Sequence, residues 1–163
     1  MTYLQPALNS LPLFGEGSCH IMLTCMPKNP SNAGRRSILI VEDSTDFSNL
    51  LKFIVEDDGY SGVQFPLTSD DIVGWAKQHK VMAVLMDLAL GRKGGMQFID
   101  QLKADPETAS IPIVIISGRD LPMKEVLRFQ SQGIRYLRKG RVEMDEIREA
   151  IRDAAVGEAG KRR

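Results

Sequence analysis

Acidic residues follow two short apolar segments of the sequence, directly after each segment ends. Glu42 and Asp43 follow residues 38–41, and Asp87 follows residues 81–86. Short, unbroken apolar runs rich in valine and isoleucine are typical of strands that are buried on both faces of a parallel sheet. Carboxylates just beyond such strands meet at the carboxyl edge, where open α/β sheets bind their ligands. Clustered carboxylates repel one another unless a cation lies among them, and oxygen ligands suit Mg²⁺. The sequence therefore predicts a magnesium site.

The elements that must position these carboxylates appear as a regular alternation of apolar patterns after Arg36. The predicted strands cover residues 37–41, 62–65, 82–86, 113–116 and 134–137, and a segment of helical periodicity follows each of them. Such alternation predicts a parallel sheet with helices on both faces, and right-handed crossovers leave few topologies. We therefore predict an α/β fold, with a flavodoxin-like, doubly wound, five-stranded parallel sheet in the order 2-1-3-4-5. The switch point of this order lies between strands one and three, which carry the acidic residues.

Two of the helices carry more detailed patterns. In the first, apolar residues recur at helical spacing and predict one buried face, formed by Phe47, Leu50, Leu51, Ile54 and Val55. In the second, Ser69 or Asp70 is the predicted N-cap, because short polar side chains satisfy the free amides of a helix start. The last helix is predicted over residues 142–155.

The bulk composition is that of an ordinary globular protein, with 43% apolar residues in 163. Lysine and arginine number 21, as do aspartate and glutamate, so the charge balance does not point to nucleic acid. No apolar stretch reaches the roughly 18 residues of a membrane span. Cys19 and Cys25 both precede the predicted domain, which fits a cytoplasmic location. With His20 they could suggest a metal knuckle, but free thiols are favoured because a second ligand pair is missing.

The division of the chain follows from where periodicity is sustained. Prolines and glycines interrupt residues 1–35, which predicts an irregular N-terminal extension. The predicted domain covers residues 36–156, and residues 157–163 are predicted to be a short polar tail. Met26 is an alternative start of the protein, which would leave residues 1–25 upstream of it.

Two further polar residues follow predicted strands, Ser117 after the fourth and Lys139 after the fifth. An acidic pair, an aspartate, a hydroxyl residue and a lysine thus occur in this order at the ends of four strands. This pattern resembles the receiver domain of two-component response regulators, and the resemblance covers residues 36–155. Any one match would be weak, whereas all of them together with the correct alternation of elements are specific.

The resemblance implies roles for the residues that carry it. Asp87 is implied to be the nucleophile that accepts a phosphoryl group from a histidine kinase or a histidine phosphotransfer protein. Asp43, Asp87 and the carbonyl of Ala89 are implied to bind Mg²⁺ directly, and Glu42 through metal-bound water. Phosphoryl transfer depends mainly on positioning and charge neutralisation, which such a site supplies.

The resemblance also implies how phosphorylation changes a surface of the domain. Lys139 and Ser117 are implied to bind phosphoryl oxygens, and Ser117 and Tyr136 to act as switch residues. Their movement would change the face formed by helix four, strand five and helix five for a downstream protein partner or a homodimer.

The chain departs from the family pattern in two loops. Gly140 stands where the family usually has proline after the lysine, and Gly91 replaces another frequent proline. Glycine relaxes the restraint that proline places on a turn. Because residues 157–163 are too few for an output domain, we expect a stand-alone, chemotaxis-receiver-like protein without a DNA-binding domain and without turnover of an external substrate.

Each site residue also has a simpler explanation, and two other functions stay open. Residues 42–44 could be a helix N-cap, Ser117 part of a turn, and Lys139 a solvated surface lysine. One alternative function is a Mg²⁺-dependent hydrolase with an aspartyl-phosphate intermediate, similar to the haloacid dehalogenase family. Those phosphatases have a second aspartate two residues after the nucleophile, where this chain has Ala89. The other is an interaction module that works without phosphorylation, which the intact acidic residues and lysine disfavour.

Overall fold

The described part of the chain, residues 36–91 and 94–160 of a computed structural model, alternates five strands with five helices. The strands are β1 (Ser37–Val41), β2 (Ser61–Gln64), β3 (Val81–Met86), β4 (Ile113–Ser117) and β5 (Arg135–Arg138). The helices are α1 (Thr45–Asp57), α2 (Ile72–Gln78), α3 (Gly95–Ala104), α4 (Met123–Ser131) and α5 (Met144–Gly160). Each predicted strand lies within one residue of the observed one.

Some of the predictions fall outside the described residues. The chain divides into two units, Met1–Ser31 and Asn32–Arg163, and the description concerns the second unit. The predicted extension at residues 1–35, with Cys19, His20, Cys25 and the alternative start Met26, lies outside the described residues, as do residues 161–163.

The five strands form one parallel sheet in the order β2-β1-β3-β4-β5, which confirms the predicted fold class and order. Val41 at the end of β1 pairs with Met86 at the end of β3. The amide of Asp87 then donates to the carbonyl of Val41 over 2.9 Å. The ends of β1 and β3 are thus level, so the residues that follow them lie side by side at the carboxyl edge.

The apolar core forms two layers, one on each face of the sheet. One layer lies under α2, α3 and α4 and includes Val41 and Phe98. The other lies under α1 and α5 and includes Ile40, Ile54 and Ile151. Because successive strand residues face opposite sides, a strand covered on both faces is apolar throughout. Each fully buried aliphatic side chain stabilises the fold by about 1.5–3 kcal/mol, which holds the strand ends in place.

The buried face of α1 is narrower than predicted. Leu51, Ile54 and Val55 are buried, but Leu50 is 38% exposed and Phe53 is 62% exposed. The prediction was therefore wrong for Leu50. A helix that packs on one sheet buries only a stripe of its surface, and consecutive residues point about 100° apart, so Leu50 lies at the margin.

The start of α2 also differs from the prediction. Its N-cap is Asp71, whose carboxylate accepts the amide of Gly74 over 2.7 Å, rather than Ser69 or Asp70. The Ser69 hydroxyl instead accepts the amide of Asp71 over 3.2 Å and supports the cap from the preceding turn. Several neighbouring polar residues can cap a helix, so sequence spacing alone does not choose among them.

The last helix continues through Gly160, beyond the predicted end at residue 155 and into the predicted tail. Ala154 and Ala155 are strong helix formers, and the cost of about 1 kcal/mol for a glycine at Gly157 does not end the helix. None of the five described helices combines the length and apolar character that crossing a membrane requires.

Candidate functional site

Three carboxylates meet at the carboxyl edge of the sheet. Oxygen atoms of Glu42, Asp43 and Asp87 lie within 4.8 Å of one another, with Glu42 and Asp87 buried and Asp43 exposed. Glu42 and Asp43 occupy the turn from β1 into α1, and Asp87 follows β3 in register with them. The structure thus brings together the acidic residues that the sequence placed at this edge.

The first turn of α1 accounts for part of this arrangement. The Ser44 hydroxyl caps the helix by accepting the amide of Phe47 over 3.4 Å. Glu42 does not cap the helix; its Oε1 accepts the Ser44 amide over 3.0 Å, and its other oxygen faces the site. The N-cap explanation is therefore correct for Ser44 and incomplete for Glu42.

Lys139 joins the two buried carboxylates. Its Nζ lies 2.6 Å from Oε2 of Glu42 and 2.5 Å from Oδ2 of Asp87. The Lys139 side chain is 21% exposed, and the carboxyl side chains of Glu42 and Asp87 are 1% and 4% exposed. This geometry excludes a solvated surface lysine. One ammonium balances part of the negative charge of three carboxylates.

The ionisation of these groups follows from burial and from their partners. Burial alone would raise the pKa of Asp87, but hydrogen bonds from Ala89, Lys139 and Ser117 outweigh it and lower that pKa. Burial raises the pKa of Glu42 more than the Lys139 and Ser44 contacts lower it. Burial would lower the pKa of Lys139, but its two carboxylate partners raise it. Asp87 is therefore a carboxylate and Lys139 an ammonium at neutral pH.

Ser117, the last residue of β4, completes the inner side of the site. Its side chain is fully buried, and its hydroxyl lies near the carboxylate of Asp87, whose pKa it helps to lower. The hydroxyl oxygen also accepts the amide of Arg119 over 3.4 Å. Ser117 therefore lies near Asp87 and contacts the loop that leads into α4.

Ala89 lies beside Asp87 in the loop after β3. Its amide donates to Oδ1 of Asp87 over 2.9 Å, which fixes the carboxylate. Its carbonyl accepts the amide of Gly91 over 3.1 Å. A carbonyl oxygen has a second lone pair, so this contact leaves the oxygen able to bind a cation.

Two alternate residues of β5 hold the loop between β4 and α4. The hydroxyl of Tyr136 donates to the carbonyl of Arg119 over 2.6 Å. The guanidinium of Arg138 contacts both carboxylate oxygens of Asp120, over 2.8 and 2.9 Å. The sequence indicated neither this ion pair nor the partner of the Tyr136 hydroxyl. Only the pairing of β4 with β5 brings these residues together.

The turn after Lys139 is built on glycine. Gly140 has φ +80°, and the amides of Arg141 and Val142 donate to the carbonyl of Arg138 over 3.2 and 3.0 Å. Proline is fixed near φ −65°, so it cannot adopt this conformation. This chain therefore positions Lys139 with a hydrogen-bonded glycine turn, where the family usually has proline.

Phe47 contacts the site in a way that helical periodicity did not indicate. The ring centroid lies 4.6 Å from Nζ of Lys139, within the range of a cation–π interaction. The sequence analysis assigned Phe47 to the buried face of α1, and its side chain is half-buried there. One part of the ring thus packs on the core and another part faces the ammonium.

Gly95 allows α3 to begin directly against the backbone of Asp87. Its amide donates to the carbonyl of Leu88 over 3.1 Å. A Cβ atom at this position would lie 2.1 Å from the carbonyl oxygen of Asp87 and 2.9 Å from Cα of Leu88. Both are backbone atoms that cannot rotate away, so the site requires glycine here.

We expect Gly95→Ala to destabilise the fold by about 1–3 kcal/mol, since the methyl group overpacks the Asp87 backbone. Urea unfolding followed by the fluorescence of Trp75, the single tryptophan, measures this. Gly157→Ala in α5 is the matched control: no atom lies within 4 Å of the added Cβ, so stability should rise by about 0.5–1 kcal/mol. An unchanged urea midpoint for Gly95→Ala would contradict the steric argument.

Comparisons with known proteins agree with this geometry. Residues 38–152 match the family model described as the response regulator receiver domain. Protein PilH of Pseudomonas aeruginosa is 35% identical over 103 residues, which cover 63% of this chain and 84% of PilH. A Vibrio cholerae protein named "Probable cyclic di-GMP phosphodiesterase" is 25% identical over 132 residues, 76% of this chain. This chain spans only 30% of the length of that relative.

The fold has close counterparts among solved structures. A CheY-like response regulator receiver domain protein from Methanospirillum hungatei superposes with a TM-score of 0.66 at 17% identity, over 78% of this chain and 98% of that one. This likeness concerns the fold, whereas the family match extends over most of the described sequence and includes every residue of the acidic site. The chain therefore belongs to the response regulator receiver domain family.

Proposed function

We propose that this receiver domain is a phosphorylatable signalling switch that acts in the cytoplasm. In this proposal Asp87 accepts a phosphoryl group from a histidine kinase or a histidine phosphotransfer protein. The phosphorylated form then acts on a downstream protein partner or forms a homodimer. The observation that carries the proposal is the buried Asp87 carboxylate, held by the Lys139 ammonium and the Ala89 amide, with the Ser117 hydroxyl near it.

The proposed reaction uses the groups that surround Asp87. An oxygen of Asp87 attacks phosphorus of the donor, a P–O bond forms, and the P–N bond to the donor histidine breaks. The imidazole nitrogen keeps the electron pair. Lys139 can shift a hydrogen bond from the carboxylate to a phosphoryl oxygen, because its ammonium has three N–H donors and its side chain is flexible. The Ser117 hydroxyl can donate to a second phosphoryl oxygen.

The donor set suits magnesium. Two carboxylates, of Asp43 and Asp87, and the Ala89 carbonyl offer the oxygen ligands that Mg²⁺ prefers, and Glu42 can bind through water. When bound there, Mg²⁺ would neutralise the charge that three carboxylates and an incoming phosphoryl group bring together. Without a metal ion, the Lys139 ammonium contributes one positive charge to these groups.

Labelling with a small phosphodonor tests the proposed function. Incubation with acetyl phosphate and Mg²⁺ should add one phosphoryl group per chain, measured by intact mass, and the label should be lost in base. Omitting Mg²⁺ should prevent labelling. A folded protein that takes no label under these conditions would instead be an interaction module. Steady turnover of a phosphate ester would identify the hydrolase.

The metal site is tested separately from phosphorylation. Mg²⁺ should raise the melting temperature, because the unfolded chain lacks the site. Asp43→Ala should abolish most of this shift, since it removes a direct ligand that is exposed. Asp46→Ala, in the first turn of α1, is the matched control and should keep the shift. An identical Mg²⁺ shift in the Asp43→Ala variant and the parent would refute the assignment of Asp43.

The proposed output surface is the face formed by α4, β5 and α5. Ser117 connects Asp87 to the loop after β4, and Tyr136 and Arg138 of β5 hold the same loop. A phosphoryl group on Asp87 adds roughly −1.5 to −2 charges beside these contacts. Because the Ser117 hydroxyl lies near Asp87 and accepts the amide of Arg119, we propose that it moves to the phosphoryl oxygens and draws the loop with it. The Tyr136 side chain would then lose or change its loop contact.

This coupling predicts a separation between phosphorylation and output. Ser117→Ala should still bind beryllofluoride, a phosphoryl mimic, at Asp87, but the amide chemical shifts of α4 and β5 should change much less than in the parent. Ser131→Ala removes a hydroxyl that donates to the Arg128 carbonyl at the end of α4, away from Asp87, and this variant should respond like the parent. Equal shift changes in the parent and the Ser117→Ala variant would rule out the coupling.

A further inference from the structure

The ammonium of Lys139 is held from three sides. Carboxylates of Glu42 and Asp87 lie on two of them, and the ring of Phe47 lies on the third, with its centroid 4.6 Å from Nζ. The position of the ring is itself fixed. Phe47 lies in the first turn of α1, and its amide is bound by the Ser44 cap.

The three contacts of Lys139 differ in how they respond when a metal ion or a phosphoryl group occupies the site. A cation bound by Asp43 and Asp87 competes with Lys139 for the Asp87 carboxylate, and a phosphoryl group on Asp87 replaces that carboxylate altogether. The attraction between an ammonium and a ring face needs neither carboxylate. The contact with Phe47 is therefore independent of what binds to Asp87.

We propose that Phe47 is a positioning residue whose ring keeps the Lys139 ammonium directed at the phosphoryl group while its carboxylate partners are occupied. The inference rests on the proposed phosphorylation of Asp87. A lysine side chain has four rotatable bonds and otherwise gains entropy by leaving the site, so a fixed ring contact favours the productive arrangement.

A second role of Phe47, packing on the core, must be separated from this one. The residue packs against the core layer under α1 and α5. Phe47→Leu keeps an apolar side chain and removes the ring, whereas Phe47→Tyr keeps a ring of the same shape. Phe53→Leu is the matched control, because Phe53 lies on the same helix, is 62% exposed and is not part of the site.

The experiment compares the rates of labelling by acetyl phosphate at saturating Mg²⁺. Phe47→Leu should label about twofold to fivefold more slowly than the parent, which is the rate equivalent of an exposed cation–π contact. Phe47→Tyr and Phe53→Leu should label at the parent rate. Equal rates for Phe47→Leu and the parent, or equal slowing by leucine and tyrosine, would overturn the proposal.

A spectroscopic measurement tests the contact without phosphorylation. The ring should shift the ε-methylene resonance of Lys139 upfield in lysine-labelled protein. The shift should disappear in Phe47→Leu and remain in Phe47→Tyr. If the parent takes no label but shows this shift, the proposed function fails while the ring contact stands. If the parent takes label and the leucine substitution leaves the resonance unchanged, the positioning role fails.

Discussion

Asp87→Asn is expected to abolish phosphorylation by acetyl phosphate completely. The amide has no anionic oxygen to attack phosphorus, and it also removes the negative charge that holds Lys139 on this side of the site. The fold should survive, because an asparagine oxygen can still accept the Ala89 amide that contacts Oδ1 of Asp87 at 2.9 Å. Intact mass after labelling, with circular dichroism to check folding, measures this.

The control for this loss is the same substitution on a neighbouring acidic residue. Asp46→Asn changes an exposed carboxylate in the first turn of α1, three residues beyond Asp43, and should keep full labelling. Peptide mapping of the labelled parent should locate the phosphoryl group on Asp87. A label on any other residue, or residual labelling of the asparagine variant, would mean that the nucleophile has been assigned incorrectly.

Sequence alone was sufficient for the acidic part of the site because that part depends only on strand order. Residues 38–41 and 81–86 are apolar throughout, so they must lie inside the sheet, and parallel strands end at the same edge. Once β1 and β3 are neighbours, Glu42 and Asp87 must lie side by side at the carboxyl edge. The prediction needed no knowledge of any side-chain conformation.

The contacts of long side chains could not be predicted in this way. The pairing of Lys139 with Glu42 joins residues 97 positions apart and depends on how a four-carbon stem folds back into the site. The ion pair of Arg138 with Asp120 similarly depends on the path of a loop. Periodicity assigns a residue to a face and not to a partner, which is why Phe47 was recognised only as a core residue.

Positions that require glycine for backbone reasons could be predicted only in part from the sequence. The sequence shows that Gly140 and Gly95 are glycines but does not show which conformation or neighbour requires them. Gly140 is needed for a positive φ, whereas Gly95 is needed because a backbone carbonyl fills the space of its side chain. These are different constraints, and only the positions of neighbouring atoms distinguish them.

Lys139→Met should destabilise the fold by about 3 kcal/mol in the absence of divalent metal. The substitution keeps the length and apolar stem of the side chain but leaves the buried carboxylates of Glu42 and Asp87 without their ammonium. Removing one partner of a buried ion pair costs about 3–5 kcal/mol, because the remaining charge is uncompensated. Urea unfolding in the presence of a chelator, followed by Trp75 fluorescence, measures the loss.

The pH dependence follows from the direction of each pKa shift. The lowered pKa of Asp87 stabilises the parent above the ordinary value of 3.8, and this contribution is lost as the pH falls through the folded-state pKa. The raised pKa of Lys139 stabilises the parent below the ordinary value of 10.5, and this is lost as the pH rises through its higher folded-state pKa. The raised pKa of Glu42 acts against folding above its ordinary value of 4.5.

Replacing Lys139 should therefore change the pH profile in a defined way. Without the ammonium, the folded-state pKa values of Glu42 and Asp87 both rise, so their protonation on acidification relieves the repulsion in the variant. The stability difference between parent and variant should narrow as the pH falls from 7 towards 4. The alkaline loss that the parent shows above about pH 10.5 through this lysine should be absent from the variant.

Magnesium should restore much of the stability that Lys139→Met removes. The cation takes over charge compensation, and the variant has no ammonium to compete for the Asp87 carboxylate, so its Mg²⁺-dependent rise in melting temperature should exceed that of the parent. Lys52→Met is the matched control, because the Lys52 side chain is 40% exposed and its ammonium lies 4.0 Å from Glu56 of the same helix. This substitution should change stability by no more than about 0.5 kcal/mol. A Lys139→Met variant as stable as the Lys52→Met control without metal would show that the ammonium does not hold the two carboxylates. A smaller Mg²⁺ shift than in the parent would show instead that lysine and metal do not compete for them.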